Sequence, residues 1–202
     1  MNASIGADAR LALDLALTIR HDGHGGVADD LATAEGLTAW VRERPETGAH
    51  GFEADETDLA AVRDVRAAVR ALFARAVLPG EPSPADAARL MPVPDAVERL
   101  NTRAALTPTV PVLSWTAGAD PVVRQEPVRQ EPAHGDAELT ATLARAAIAF
   151  LASPDRQRLR ACHAPRCVRY FLKDHPRQEW CKPSCGNRAR VARHHERHKK
   201  TA

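Results

Sequence analysis

Apolar residues recur at three- and four-residue steps through much of this chain, and that period predicts helices. Leu59, Val62, Val65, Val69, Leu72, Phe73 and Ala76 keep the rhythm over the longest stretch, about 56–78. Asp55 stands ahead of it as a helix cap, and Pro79-Gly80 stops it. Leu37, Trp40 and Val41 share one face of a helix over about 34–44, with Thr33 as its cap and Pro45 beyond its end. Leu139, Leu143, Ala146, Ala147 and Phe150 line a helix over 137–152, capped by Asp136 and ended by Ser153-Pro154. Ser83-Pro84 opens a further helix ending near Met91, and Pro94-Asp95 opens another over 95–106, since proline suits the first helical position.

Elsewhere the rhythm changes. Leu11, Leu13, Leu15, Leu17 and Ile19 alternate as in a strand, yet alanine and leucine favour helix, so 9–20 stays open between the two. Residues 21–28 (HDGHGGVA) form a glycine-rich turn that lacks the lysine and the spacing of a phosphate-binding loop. Residues 109–116 and 121–128 flank Ala117-Gly118-Ala119-Asp120 and read as a β-hairpin. The pentapeptide VRQEP occurs twice, at 123–127 and 128–132, as a short duplication in an exposed connector. The expected fold is mainly α with a small β-hairpin (α+β): a helical N-terminal domain over 1–153, then a compact module over 154–202.

Charge separates the same two parts. From Asp155 to Ala202 there are 14 Lys/Arg against 4 Asp/Glu, a net +10; the first 154 residues hold 14 against 22, a net −8. An acidic body with a basic tail points the tail at a polyanion, nucleic acid above all. Asp8, Arg10 and Asp14 interrupt any secretory leader, and the longest uncharged run, 104–119, is too short to span a membrane. A cytoplasmic protein is therefore expected, and in a reducing compartment paired cysteines are metal ligands before they are disulfides.

All four cysteines of the chain lie within that basic tail: Cys162-x4-Cys167, thirteen residues, then Cys181-x3-Cys185. Two close pairs around a short spacer suit one tetrahedral Zn²⁺, each pair reaching the metal from a tight turn. Four thiolates fill a structural site and leave no place for a catalytic water. Arg160, Arg166, Arg169, Lys182 and Arg188 are near enough in sequence to offset the negative charge of such a centre. Val168 to Leu172 and Gln178 to Trp180 read as the two strands of a hairpin between the cysteine pairs. Tyr170, Phe171 and Trp180 would form a miniature core, and Pro183 would start a helix containing Cys185. Knuckle, hairpin and helix make a treble-clef-like zinc finger. Gly186 beside the last ligand lets the chain approach closely. On the following helix Arg188, Arg190, Arg193, Arg197 and Lys200 are the candidate nucleic-acid contacts, with Arg190, Arg193 and Arg197 on one face.

The segment from Leu159 to His198, with Lys173-Asp174-His175-Pro176, the four cysteines and the Cys185-Gly186-Asn187-Arg188 string, resembles the CGNR zinc-finger family. LALDLALT at 11–18 and DDLATAEGLTAWV at 29–41 resemble the opening of the ABATE domain that precedes the finger in that family. Relatives carry Asn where Leu17 stands, Tyr where His195 stands and Ser where Lys182 stands, and none of these is a ligand position. The resemblance implies a predicted stress-induced transcription regulator of bacteria, binding DNA through the finger and regulated through the larger domain. The residues of that domain leave three roles open: binding a small-molecule effector, forming a dimer, or supporting the finger. A zinc-finger adaptor that mediates protein–protein contact without binding DNA is the alternative. An enzyme is not expected: the HHERH run at 194–198 differs from HExxH in spacing and order, Asp29-Asp30 and Asp55/Glu56/Asp58 read as helix caps, and His21, Asp22 and His24 read as loop.

Overall fold

The computed structural model describes residues 6–24, 26–86, 90–128 and 135–200, without the side chains of 135, 136 and 200. The Asp136 and Lys200 side chains, the second VRQEP copy beyond Val128 and part of the expected 84–91 helix lie outside the described residues; the backbone of Asp136 is already helical, so it is not the cap of a helix starting at 137. Six α-helices, two short 3-10 helices and three two-stranded antiparallel sheets are seen among those described.

The ambiguous opening resolves into both of its candidates. Helix α1 spans Ala7–Ala16, and β1 (Ile19–His21) then pairs with β2 (Val27–Asp29), register Arg20 to Ala28. The turn between them is held by its own polar side chains: Asp22 Oδ1 accepts the amides of His24 (2.7 Å) and Gly26 (2.9 Å), and His21 Nδ1 accepts that of Gly23 (2.8 Å). Helix α2 (Ala34–Arg42) starts as expected, with Thr33 Oγ1 accepting the Gly36 amide. Helix α3 (Glu56–Ala76) starts on a capping box in which Asp55 accepts the Thr57 and Asp58 amides and Asp58 accepts the Asp55 amide. Helices α4 (Val93–Ala105) and α5 (Gly135–Ala152) complete the body, with the hairpin β3 (Thr109–Ser114) and β4 (Val122–Pro127) between them. No helix among the described residues is long and apolar enough to cross a membrane.

Helices α1, α3, α4 and α5 pack on one another around a core that includes Leu15, Val62, Val69, Phe73, Leu100, Leu143 and Phe150. Alanines on the contact faces (Ala12, Ala16, Ala68, Ala144 and Ala147, all buried) let the helix backbones approach closely. Each Leu or Phe taken fully out of water there contributes about 1.5–3 kcal/mol before entropy is subtracted.

Two charged pairs enter the body. Arg66 reaches across to Asp29 in a bidentate contact (2.5 and 2.7 Å) and also donates to the Thr18 hydroxyl. Asp29 is thus an anchor that holds the β1–β2 ribbon on α3, and also accepts the Leu31 amide; Asp30 pairs with Arg20. This corrects the expectation of a helix cap: Thr33 occupies that position, and the two carboxylates are free to meet arginines. Deeper still, Arg70 holds Asp86 (2.7 and 3.1 Å) and donates to the Ala16 carbonyl. At its described start the helix expected from Pro84 is a turn, in which the Ser83 hydroxyl accepts the Ala85 amide at 3.3 Å. The same hydroxyl donates to the Val168 carbonyl at 2.8 Å. That bond ties the body to the C-terminal module.

Candidate metal centre

Beyond α5 the chain makes a short strand β5 (Leu159–Ala161), a turn carrying the first cysteine pair, and a return strand β6 (Tyr170–Leu172). The hairpin therefore wraps the first pair instead of lying between the pairs. Residues 178–180 form no strand. Gln178 satisfies the backbone locally, its Oε1 accepting the Asp174 amide and its Nε2 donating to the Trp180 carbonyl. The turn is tight: Cys167 N donates to Ala164 O (2.9 Å), Cys162 N to Arg169 O (2.8 Å), and Arg166 takes a left-handed φ of 63°. The second pair sits at the start of α6 (Pro183–Lys200), with Cys185 in its first turn and its amide bonded to the Lys182 carbonyl.

These two turns bring all four sulfurs within 4.8 Å of one another, with Cys162, Cys167 and Cys185 buried and Cys181 half-buried. Cys181 Sγ lies 3.6 Å from Cys167 Sγ and 3.5 Å from Cys185 Sγ. A disulfide needs about 2.05 Å, and all four thiols are free. Four sulfurs at Zn–S distances of about 2.3 Å stand about 3.8 Å apart on a tetrahedron. The observed spacings fit that figure, and soft thiolates are the donor set that selects zinc over hard cations.

The Cys162 sulfur accepts hydrogen bonds from Cys167 and Cys181, and also from the Cys181 and Ala164 amides, so its pKa falls to about 2. The donating partners move the other way: bonding to Cys162 lifts Cys167 to about 11 and pushes Cys181 up further. A divalent ion takes over the role of those protons, since each ligand binds metal only as thiolate. Among the cations expected to offset the charge, Arg188 makes the contact, its Nη2 lying 3.1 Å from Cys185 Sγ.

Trp180 and Phe171 cover the cluster. Tyr170 does not join them. Neighbouring strand residues face opposite ways, so Phe171 meets the sulfurs while Tyr170 and Leu172 enter the core of the helical body. The Tyr170 ring packs edge-on against Phe73 at 5.5 Å, and its hydroxyl donates to Asp86 at 2.7 Å and accepts the Ser83 amide at 3.3 Å. Gly186 gives room for a different approach from the one expected. A Cβ there would lie 3.1 Å from Cδ1 of Trp180, so it is the indole ring that needs the space.

The candidate cations of α6 divide. Arg188 is engaged at the metal cluster. Arg190 donates to Asn187 Oδ1 (2.7 Å), and Arg190, Arg193 and Arg197 are exposed. At 100° per residue these three lie within an arc of about 60°. Only Cys185 and Ala189 of the helix are buried among its described residues. The Tyr170–Asp86–Arg70 network is not legible in the sequence. Its one signal, a lone tyrosine beside the cysteines, does not say which way a strand residue faces.

The ABATE family, described as a "putative stress-induced transcription regulator", matches residues 9–154. The CGNR zinc finger matches residues 158–198. No curated protein matches the chain. Residues 9–154 are well over half of the chain, and the cysteine cluster stands where the finger match requires it; the protein belongs to the ABATE family and carries a C-terminal CGNR zinc finger that holds one structural Zn²⁺.

Proposed function

We propose that this protein is a DNA-binding transcription regulator of the cytoplasm, in which zinc fixes the start of α6 and the exposed arginine arc of that helix meets the phosphate backbone. The observation that carries the reading is the separation of roles on α6. Arg188 sets its guanidinium on the Cys185 sulfur, while Arg190, Arg193 and Arg197 lie together on the opposite side of the helix, exposed. Phosphate contacts of this kind position the helix, and one or two side chains then reach base edges. The small-molecule effector is assigned to the open groove beside the Ala76–Gly80 turn, about 860 Å³, where Arg75, Arg156 and Arg160 surround Leu72, Val97 and Leu151. Such a lining suits an apolar anion.

The test is duplex binding by zinc-loaded protein, followed by fluorescence anisotropy over a range of salt. Log affinity falls linearly with log salt, and Arg193→Ala or Arg197→Ala each lowers the slope by roughly 0.9 for every phosphate that is no longer neutralised. A zinc-loaded protein that ignores duplex at low salt, or variants that keep the wild-type slope, refute the reading. Capture of a protein partner that survives nuclease would favour the adaptor alternative instead.

A further inference from the structure

Most of the β3–β4 hairpin is open to solvent, and Thr109, Gln125 and Pro127 line a groove against α1 and α5. Of the fourteen large apolar side chains exposed among the described residues, seven belong to the segment 110–128: Val110, Val112, Leu113, Trp115, Val122, Val123 and Val128. Leu113 is 62 % exposed and Trp115 71 %. A two-stranded ribbon this open is marginal by itself, and strand edges left unpaired are templates for another strand.

The two edges differ. The Val128 amide donates to the Pro108 carbonyl at 2.9 Å, which fixes the alternation of the ladder. With the register Val110 to Glu126 and Val112 to Arg124, the backbone groups of 122, 124, 126 and 128 turn toward β3, and those of 123, 125 and 127 turn outward. On β3 the outward residues are 109, 111 and 113. Pro111 sits in the middle of that edge and has no N–H, so it blunts the edge of β3. On β4 the proline, Pro127, stands at the end, and the central Gln125 keeps both its N–H and its C=O.

The sequence along the open edge is complementary to itself. Turned antiparallel about Gln125, Val-Val-Arg-Gln-Glu-Pro-Val sets Arg124 opposite Glu126 of a second copy, Val122 opposite Val128 and Val123 opposite Pro127. Gln125 then exchanges both backbone bonds with its symmetry mate, and each Val123 N–H reaches a Pro127 carbonyl. Opposite charges or apolar pairs face each other on both sides of the central Gln125 pair, and a two-fold contact demands that of a single strand.

We infer that the outer edge of β4 is a homodimer interface, at which two copies of this chain join their hairpins into one four-stranded antiparallel sheet. The inference is independent of what α6 binds. The Arg124–Glu126 pairs set the register, and a shift by one residue would oppose like with unlike faces.

The test is the mass of the zinc-loaded full-length protein by sedimentation over a concentration series. The wild type dimerises. Gln125→Pro raises the dissociation constant about tenfold or more, because it removes both central bonds while leaving the β3–β4 ladder, which does not use the Gln125 amide. Arg124→Glu weakens the dimer by setting carboxylates opposite each other, as Glu126→Arg does with guanidiniums, and the double swap Arg124→Glu/Glu126→Arg restores it. A monomer at every concentration overturns the inference. So does a dimer indifferent to Gln125→Pro, or a double swap that stays as weak as the single ones.

Discussion

Tyr170→Phe removes one hydroxyl and leaves the ring against Phe73. The hydroxyl donates to the Asp86 carboxylate and accepts the Ser83 amide, both in buried surroundings. A hydrogen bond to a charged group is worth about 1.5–3 kcal/mol, and the Ser83 amide is left without this acceptor. The expected loss is about 2 kcal/mol, a fall in Tm of roughly 4–8 °C for a chain of this size. Asp86→Ala is the sharper perturbation of the same network. It leaves the Arg70 guanidinium buried with the Ala16 carbonyl and Ser83 hydroxyl but no counter-charge. Breaking a buried ion pair from one side costs about 3–5 kcal/mol. Urea unfolding of zinc-loaded protein, followed by circular dichroism, reads both. The order wild type, Tyr170→Phe, Asp86→Ala is the expected one. If Tyr170→Phe unfolds within about 0.5 kcal/mol of wild type, the finger and the helical body are not joined through this network.

Three further outcomes follow from the same contacts. Purified protein holds one zinc per chain, and Cys162→Ser, Cys167→Ser, Cys181→Ser or Cys185→Ser each abolishes stoichiometric zinc by elemental analysis; removing zinc from the wild type with a chelator also lowers the unfolding midpoint of the helices, since Tyr170 and Leu172 belong to their core. Burial opposes ionisation of Asp29, but the Arg66 hydrogen bonds and charge prevail and hold its carboxyl below the usual value. Its stabilising effect is present above about pH 4, the unfolded value, and is lost as pH falls through the lower folded value, so urea midpoints of wild type and Asp29→Asn differ at neutral pH and converge in acid. Burial and then the Asp86 contact push the Tyr170 phenol well above its ordinary range; it is the sole tyrosine, so phenolate absorbance appears only as alkali unfolds the chain, and a normal tyrosine titration in folded protein would contradict its placement.

The sequence by itself determined whatever depends on near neighbours. Helical periodicity, the Thr33 and Asp55 caps, the hairpin around Gly118 and the grouping of Cys162, Cys167, Cys181 and Cys185 all rest on spacings of a few residues. Those spacings act through backbone geometry and through the ligand number of zinc, so they read directly. Only the tertiary structure decided which partner each polar group meets. Asp29 and Asp86 are paired with Arg66 and Arg70 across long stretches of chain, and no local pattern announces such a match. It also decided the split between Tyr170 and Phe171. A three-residue strand fixes that its side chains alternate, but which face meets the sulfurs depends on how the hairpin lies against α3. Packing made that choice, because burying one aromatic ring beside Phe73 and the next beside the metal removes both from water.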